Sequence, residues 1–128
     1  MSLGKLMAAE RNALWTVTDP RGLSITLTGD VWQEVTRKHI DMPPFFETVK
    51  LTASDPDEIY LDPESTASRG TGARIYRYSR RIPGASRPPM RMATIIKVVA
   101  EAGGHKGYVE TAFRTERIPN RLVLEWQR

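Results

Sequence analysis

Apolar and polar positions alternate with a period of two in residues 13–18 and again in residues 23–28, which predicts two short strands. Asp19-Pro20-Arg21-Gly22 between them is a turn by composition. From Gly29 to about Ile40 the period lengthens to three and four, with Trp32, Val35 and His39 on one stripe. Thr28 is the natural N-cap of this helix, and Asp30 complements its dipole. Pro43-Pro44 opens a second helix, capped by Asp41, with Phe45 or Phe46, Val49 and Ala53 facing inward. Asp55-Pro56 ends it.

Beyond this point the pattern belongs to strands. Residues 58–61, 74–82, 92–101, 108–115 and 122–126 each read as one. Residues 92–101 are apolar on both faces and rich in β-branched side chains, as in a central strand. Residues 108–115 are its expected hairpin partner across Gly103-Gly104-His105-Lys106. A turn centred on Gly104-His105 pairs Val98 with Thr111 and sets Lys97 opposite Ala112, with Glu110 and Arg114 as diagonal neighbours. Lys97, Glu110 and Arg114 then form a charged cluster, while Thr111 and Lys97 share a face only if a bulge intervenes. Helices followed by an antiparallel meander give an α+β class: two N-terminal helices packed on a four- to five-stranded antiparallel sheet. Residues 1–12 read as a flexible leader and 13–128 as a single domain, with surface loops at 62–72 and 83–89.

Charge changes the picture more than composition does. Residues 65–100 contain no Asp or Glu but eight basic residues: Arg69, Arg74, Arg77, Arg80, Arg81, Arg87, Arg91 and Lys97. The remaining 92 residues hold eleven basic and all fifteen acidic residues, so the formal net charge of +4 conceals a polarised chain. Arginine grips phosphate with a planar fork, and a block of this kind points to a polyanion such as nucleic acid. Arg74, Tyr76, Tyr78 and Arg80 fall on one face of their strand, where interleaved cations and rings would clamp phosphates and stack bases. The expectation is a concave cationic wall. A solvated arginine rim is the ordinary alternative.

The chain has no cysteine, which excludes disulfides and thiolate metal sites. It has two histidines, His39 and His105, 66 positions apart, and no carboxylate cluster with ligand spacing, so no metal or other cofactor is expected. It lacks a Gly-rich phosphate loop, a nucleophile elbow, a secretory leader and an apolar run long enough to span a bilayer. A cytoplasmic protein is the expectation. His39, near a helix C-terminus that favours the protonated ring, suits general acid chemistry; packing beside Trp32 is its ordinary reading.

Several segments together resemble a known family. Ile25-Thr26-Leu27-Thr28 with Trp32 and His39 resembles the opening of small nuclease-like domains of phages and mobile elements. Asp55-Pro56-Asp57-Glu58-Ile59-Tyr60 resembles their PD-x-I segment. Lys97-Val98-Val99 and residues 108–115, which carry a Thr-x-aromatic pattern at Thr111 and Phe113, resemble their two central strands. These domains fall in the grouping of barnase, the EndoU enzymes, the anticodon-cutting colicins and the RelE-type toxins. The resemblance covers residues 13–126.

The resemblance implies metal-independent RNA cleavage by a toxin-like domain, in which the ribose 2′-hydroxyl attacks the adjacent phosphate. It casts His39 as acid or base, Thr111 as the threonine of the Thr-x-aromatic pattern, and Lys97 and Arg114 as stabilisers of the transition state. RNA is the expected partner, contacted by Arg74, Tyr76, Arg77, Tyr78, Arg80 and Phe113, with an inhibitor protein as a second. Two other readings stay open: a non-catalytic module that holds RNA or a protein through the arginine face, and a structural subunit docking on an acidic surface.

Overall fold

The computed structural model describes residues 12–70, 72–84 and 87–128. The expected leader, apart from Asn12, lies outside the described residues. Seven strands and three α-helices follow one another in the described residues: β1 (Ala13–Thr18), β2 (Ser24–Thr28), α1 (Gly29–Lys38), α2 (Phe46–Ser54), β3 (Glu58–Leu61), α3 (Pro63–Arg69), β4 (Arg74–Arg81), β5 (Arg91–Glu101), β6 (Gly104–Thr115) and β7 (Val123–Gln127). A single 3-10 turn, Pro43–Phe45, leads into α2.

The strands form one sheet in the order β1-β2-β6-β5-β4-β3-β7. Strands β3 to β6 are an antiparallel meander, but β2 lies parallel to β6, with Ser24 beside Lys106 and Thr26 beside Tyr108. The expected four- to five-stranded antiparallel sheet carrying two helices is therefore corrected to a seven-stranded mixed sheet with three helices. The α+β class stands. Each strand was legible from its local pattern of side chains; their lateral order was not, because a β2–β6 contact joins segments about eighty residues apart.

The third helix replaces part of an expected loop. Asp62 caps it by accepting from the Ser65 amide at 3.0 Å, Pro63 opens it, and Gly70 ends it with a left-handed φ of 63°. These start and stop signals bracket only seven residues with no apolar stripe, so the pattern of hydrophobic positions is silent there.

Helices α1 and α2 cover one face of the sheet, α1 resting on β6 and β2, α2 on β5, β4 and β1. The main core lies between these layers: Ile25, Leu27, Val35, Val49, Ala53, Ile59, Tyr78, Met92 and Ile96 are all shielded from solvent. Trp32 of α1 meets Phe46 of α2 edge to face, with centroids 5.2 Å apart. The opposite face carries no long helix. Over it lie α3, which touches β4, and residues 116–122, which lead from β6 to β7.

The β5–β6 hairpin turns at Ala102-Gly103, between Glu101 and Gly104, earlier than the expected centre at Gly104-His105. Lys97 accordingly faces Tyr108, not Ala112, and Val98 faces Gly107, not Thr111. Gly107 is closely packed: a Cβ there would lie 3.0 Å from Ile96 Cγ2 and 3.1 Å from Ile25 Cγ1, so these buried side chains would have to give way.

Two substitutions probe this core. Gly107→Ala should destabilise by about 1–3 kcal/mol through overpacking. The Thr94 hydroxyl is buried with no hydrogen-bond partner among the described residues, so Thr94→Val should stabilise by about 1 kcal/mol. Urea unfolding midpoints check both, and a lower midpoint for Thr94→Val would contradict the second.

Candidate functional site

A β-bulge builds the site. Ile96 pairs with Val109, but Ile95 pairs with Thr111, so Glu110 is an extra residue and the two sit together opposite Ile95. The bulge shifts Thr111 to the face opposite α1 and α2. Lys97 and Ile95 share that face by alternation, which makes Lys97 and Thr111 diagonal neighbours. Arg77, the partner of Ile95 on β4, and Phe113, the partner of Ala93, face the same way.

Arg77 is deeply buried for an arginine. Its Nη1 donates to the Arg117 carbonyl at 3.1 Å, and its guanidinium lies 5.3 Å from the Phe113 ring centroid. Burial and the neighbouring Arg121 charge lower its pKa from the ordinary arginine value. The His39 ring centroid is 6.0 Å from that of Phe113, with the two planes tilted by 36°. His39 is the residue that ends α1, its amide donating to the Val35 carbonyl at 2.8 Å. It is half-buried, as are Lys97, Thr111 and Phe113. Lys97 has no ion-pair partner among the described residues.

Arg114 stands elsewhere. It pairs with Met92, which puts it on the helix-bearing side. There its Nε donates to Asp41 Oδ2 at 2.8 Å, and its guanidinium lies 4.8 Å from the Phe45 ring centroid. The hydrogen bond from Arg114 holds the Asp41 carboxyl below the usual carboxylate range. The structure therefore places Thr111, Lys97, Arg77 and Phe113 on one face with His39 near Phe113, and sets Arg114 on the other face. From there Arg114 ties the segment that follows His39 to strand β6.

The arginine block does not make a continuous wall. Arg74 and Arg80 project to the helix-bearing face, Arg77, Arg81, Arg91 and Lys97 to the other. Carboxylates from outside the block compensate three of the arginines. Arg69 of α3 bonds Glu110 at 2.5 Å, Arg91 bonds both Glu58 oxygens at 3.0 Å, and Arg80 bonds Asp55. The Arg-Tyr face of β4 turns inward. Tyr78 is fully buried and donates to Asp19 Oδ2 at 2.5 Å, while Tyr76 is 6% exposed beneath Arg21. Neither ring is presented to a base in this arrangement. Burial, reinforced by the Asp19 carboxylate, pushes the Tyr78 hydroxyl far above the ordinary tyrosine range.

Sequence reasoning missed three contributors: the Arg69–Glu110 pair beside Thr111, Arg117, and Asp62. Only Asp62 carried a local signal, as an N-cap ahead of Pro63. Asp62 also takes the Arg121 guanidinium, which joins the start of α3 to residues 116–122. Burial alone would raise the Asp62 carboxyl, but the Ser65 amide and Arg121 outweigh it and leave the group below its ordinary value.

Among the described residues, no three His, Asp or Glu side chains converge as a metal-ligand set, and no helix is long and apolar enough to cross a membrane. No family model, curated protein or solved structure among those compared matches this chain.

The Asp62 shift sets a pH dependence. A carboxylate whose pKa is lower in the folded than in the unfolded chain stabilises the fold fully above its unfolded value, near 3.9, and loses that contribution as pH falls through the folded value. Asp57 acts in the same direction: burial opposes ionisation, but the Arg81 amide and Arg128 prevail. Urea midpoints should fall steeply as pH drops below about 4. The fall should be shallower in Asp62→Asn, and an unchanged profile in that variant would contradict the assignment.

Proposed function

We propose that the protein is a metal-independent ribonuclease-like domain that works on the face of its sheet opposite α1 and α2. One observation supports this most: the bulge at Glu110 gathers Thr111, Lys97, Arg77 and Phe113 on a single face, with the His39 ring 6.0 Å from Phe113. These are residue types that phosphoryl transfer at a ribose requires, and the resemblance assigned His39, Lys97 and Thr111 to the same reaction.

In this reading, the bound RNA lays its backbone across β5 and β6. The 2′-oxygen forms a bond to phosphorus as the bond to the 5′-oxygen breaks, leaving a 2′,3′-cyclic phosphate and a free 5′-hydroxyl. The 2′-hydroxyl loses a proton and the 5′-oxygen gains one. His39 carries one of these transfers, and solvent the other. Such a group contributes about 10²–10⁴ in rate. The Lys97 ammonium faces the charge that builds on the phosphorane oxygens, and Thr111 donates its hydroxyl to one of them. Phe113 offers a ring on which a base can stack, held in place by Arg77 behind it. Arg114 is a positioning residue, acting on His39 through Asp41 and Phe45.

A second reading, RNA binding without cleavage, is favoured by the Arg69–Glu110 pair. It puts a compensated charge beside Thr111, where a reactive site would keep its charges free.

Cleavage of RNA in EDTA decides between the two. The expected products carry cyclic phosphate ends, and His39→Ala and Lys97→Met should each slow cleavage at least about 100-fold while RNA binding persists. Arg114→Ala should slow cleavage less, and Arg114→Lys should fail to rescue it, because lysine has no planar fork to span Asp41 and Phe45. RNA that is bound with steep salt dependence but left whole would favour the second reading.

A further inference from the structure

The other face of the sheet holds a cavity that the cleavage reading does not use. Its volume is about 400 Å³, within the range of clefts that take small ligands. It opens where α1 and α2 leave the end of their face uncovered, between the β1–β2 turn and the start of the β5–β6 hairpin. Three groups able to carry positive charge converge on it: Arg21, Arg74 and His105. Leu23, Val98 and Ala100 form an apolar wall, and the Tyr76 ring adjoins them.

The cationic side of this cavity is firmly built. Asp19 is 4% exposed, and its Oδ1 accepts from the amides of Arg21 and Leu23, both at 2.8 Å. Its other oxygen takes the buried Tyr78 hydroxyl. The turn that carries Arg21 is thus anchored to β4, in the middle of the sheet, before any ligand arrives. Arg21 bonds Glu125 through one nitrogen at 3.1 Å and lies 5.3 Å from the Tyr76 ring centroid. Arg74 is exposed and forms no salt bridge among the described residues; its pKa is raised by a hydrogen bond with Tyr76 and, to a lesser degree, by the charge of Glu125. Two guanidinium forks and an imidazole surround the cavity, and no carboxylate among the described residues lines it. Glu125, which pairs with Arg21, is one carboxylate against three groups able to carry positive charge. A fork that forms no salt bridge, beside a second cation, is an arrangement for a dianion with several oxygens, and the apolar wall suits an organic body attached to it.

We propose that this cavity binds the terminal phosphate monoester of a nucleotide, with the phosphate between Arg74 and Arg21 and the nucleoside against Leu23, Val98 and Ala100. The site is separate from the face that carries Lys97 and Thr111, so it does not depend on the cleavage reading. The same chemistry is offered by a free mononucleotide and by the 5′-phosphate end of an RNA strand.

Calorimetric titration with adenosine 5′-monophosphate tests the site, with adenosine and inorganic phosphate as partial ligands. The monophosphate should bind at least ten-fold more tightly than either. Arg74→Gln should weaken it at least ten-fold, whereas Arg81→Gln, an equal loss of charge outside the cavity, should leave it unchanged. Circular dichroism confirms that each variant is folded, and Arg74 is exposed enough for its replacement to be tolerated. Competition separates the sources: displacement by a short 5′-phosphorylated RNA but not by its 5′-hydroxyl form assigns the site to strand ends, and displacement by neither assigns it to free nucleotides. Equal affinity for adenosine and its monophosphate, or equal loss in Arg74→Gln and Arg81→Gln, would overturn the proposal. These readouts are independent of cleavage, so an inactive chain that still binds the monophosphate separates the two ideas.

Discussion

The pairing of β5 with β6 is the constraint on which the remaining architecture depends. These are the longest strands, and every other element reaches the fold through them: β4 and then β3 and β7 on one side, β2 and β1 on the other. The extra residue at Glu110 lets one pairing serve two surfaces. On one side of the bulge Val109 is buried beneath the helices; on the other, Ala112 is. Without the extra residue the strand would keep a single alternation, and Thr111 would not share a face with Lys97. The core and the candidate site therefore share a backbone irregularity.

Electrostatics depends on the folded arrangement in a way that counting along the chain misses. A segment without acidic residues implies a bare cationic surface only if its neighbours in space are also free of acid. Here Glu58, Asp55 and Glu110 come from other strands and a helix end to meet Arg91, Arg80 and Arg69. The cations that form no salt bridge among the described residues include Lys97 and Arg77 on one face and Arg74 on the other. Pairs near the surface add little stability individually. Their effect here is to offset positive charge that the segment, read along the chain, would leave bare.

Much of the fold was legible because period and capping are local. The helix over Gly29–Lys38 followed from its stripe and from Thr28, whose hydroxyl accepts from the Val31 amide, and the strand over Glu58–Leu61 was bounded correctly by Asp55-Pro56 before it. The sheet order was not legible, since parallel pairing of β2 with β6 leaves no mark in either segment. The hairpin register failed for a related reason: with adjacent glycines at 103 and 104, composition alone does not select which residue starts the turn. His39, Lys97 and Thr111 were identified by resemblance, and their shared surface rested on a bulge that spacing allowed but did not require. Arg114 was misplaced because the bulge at Glu110, which brings Thr111 to the face of Lys97, turns Arg114 to the other. Tyr78 was read as a base-stacking residue because its strand alternates cleanly, and alternation does not say which face is inside.

The parallel contact between β2 and β6 has a bearing on how the chain assembles. Ser24 and Lys106 are brought side by side although the whole helical segment and three strands intervene. Closing so long a loop costs only modestly more than closing a shorter one, but it delays the reward until the distal hairpin exists. On a ribosome, the β1–β2 ribbon and its helices would emerge first and wait with their apolar surfaces unpartnered. That interval, not the finished molecule, is when this protein is most exposed to aggregation and most in need of chaperones.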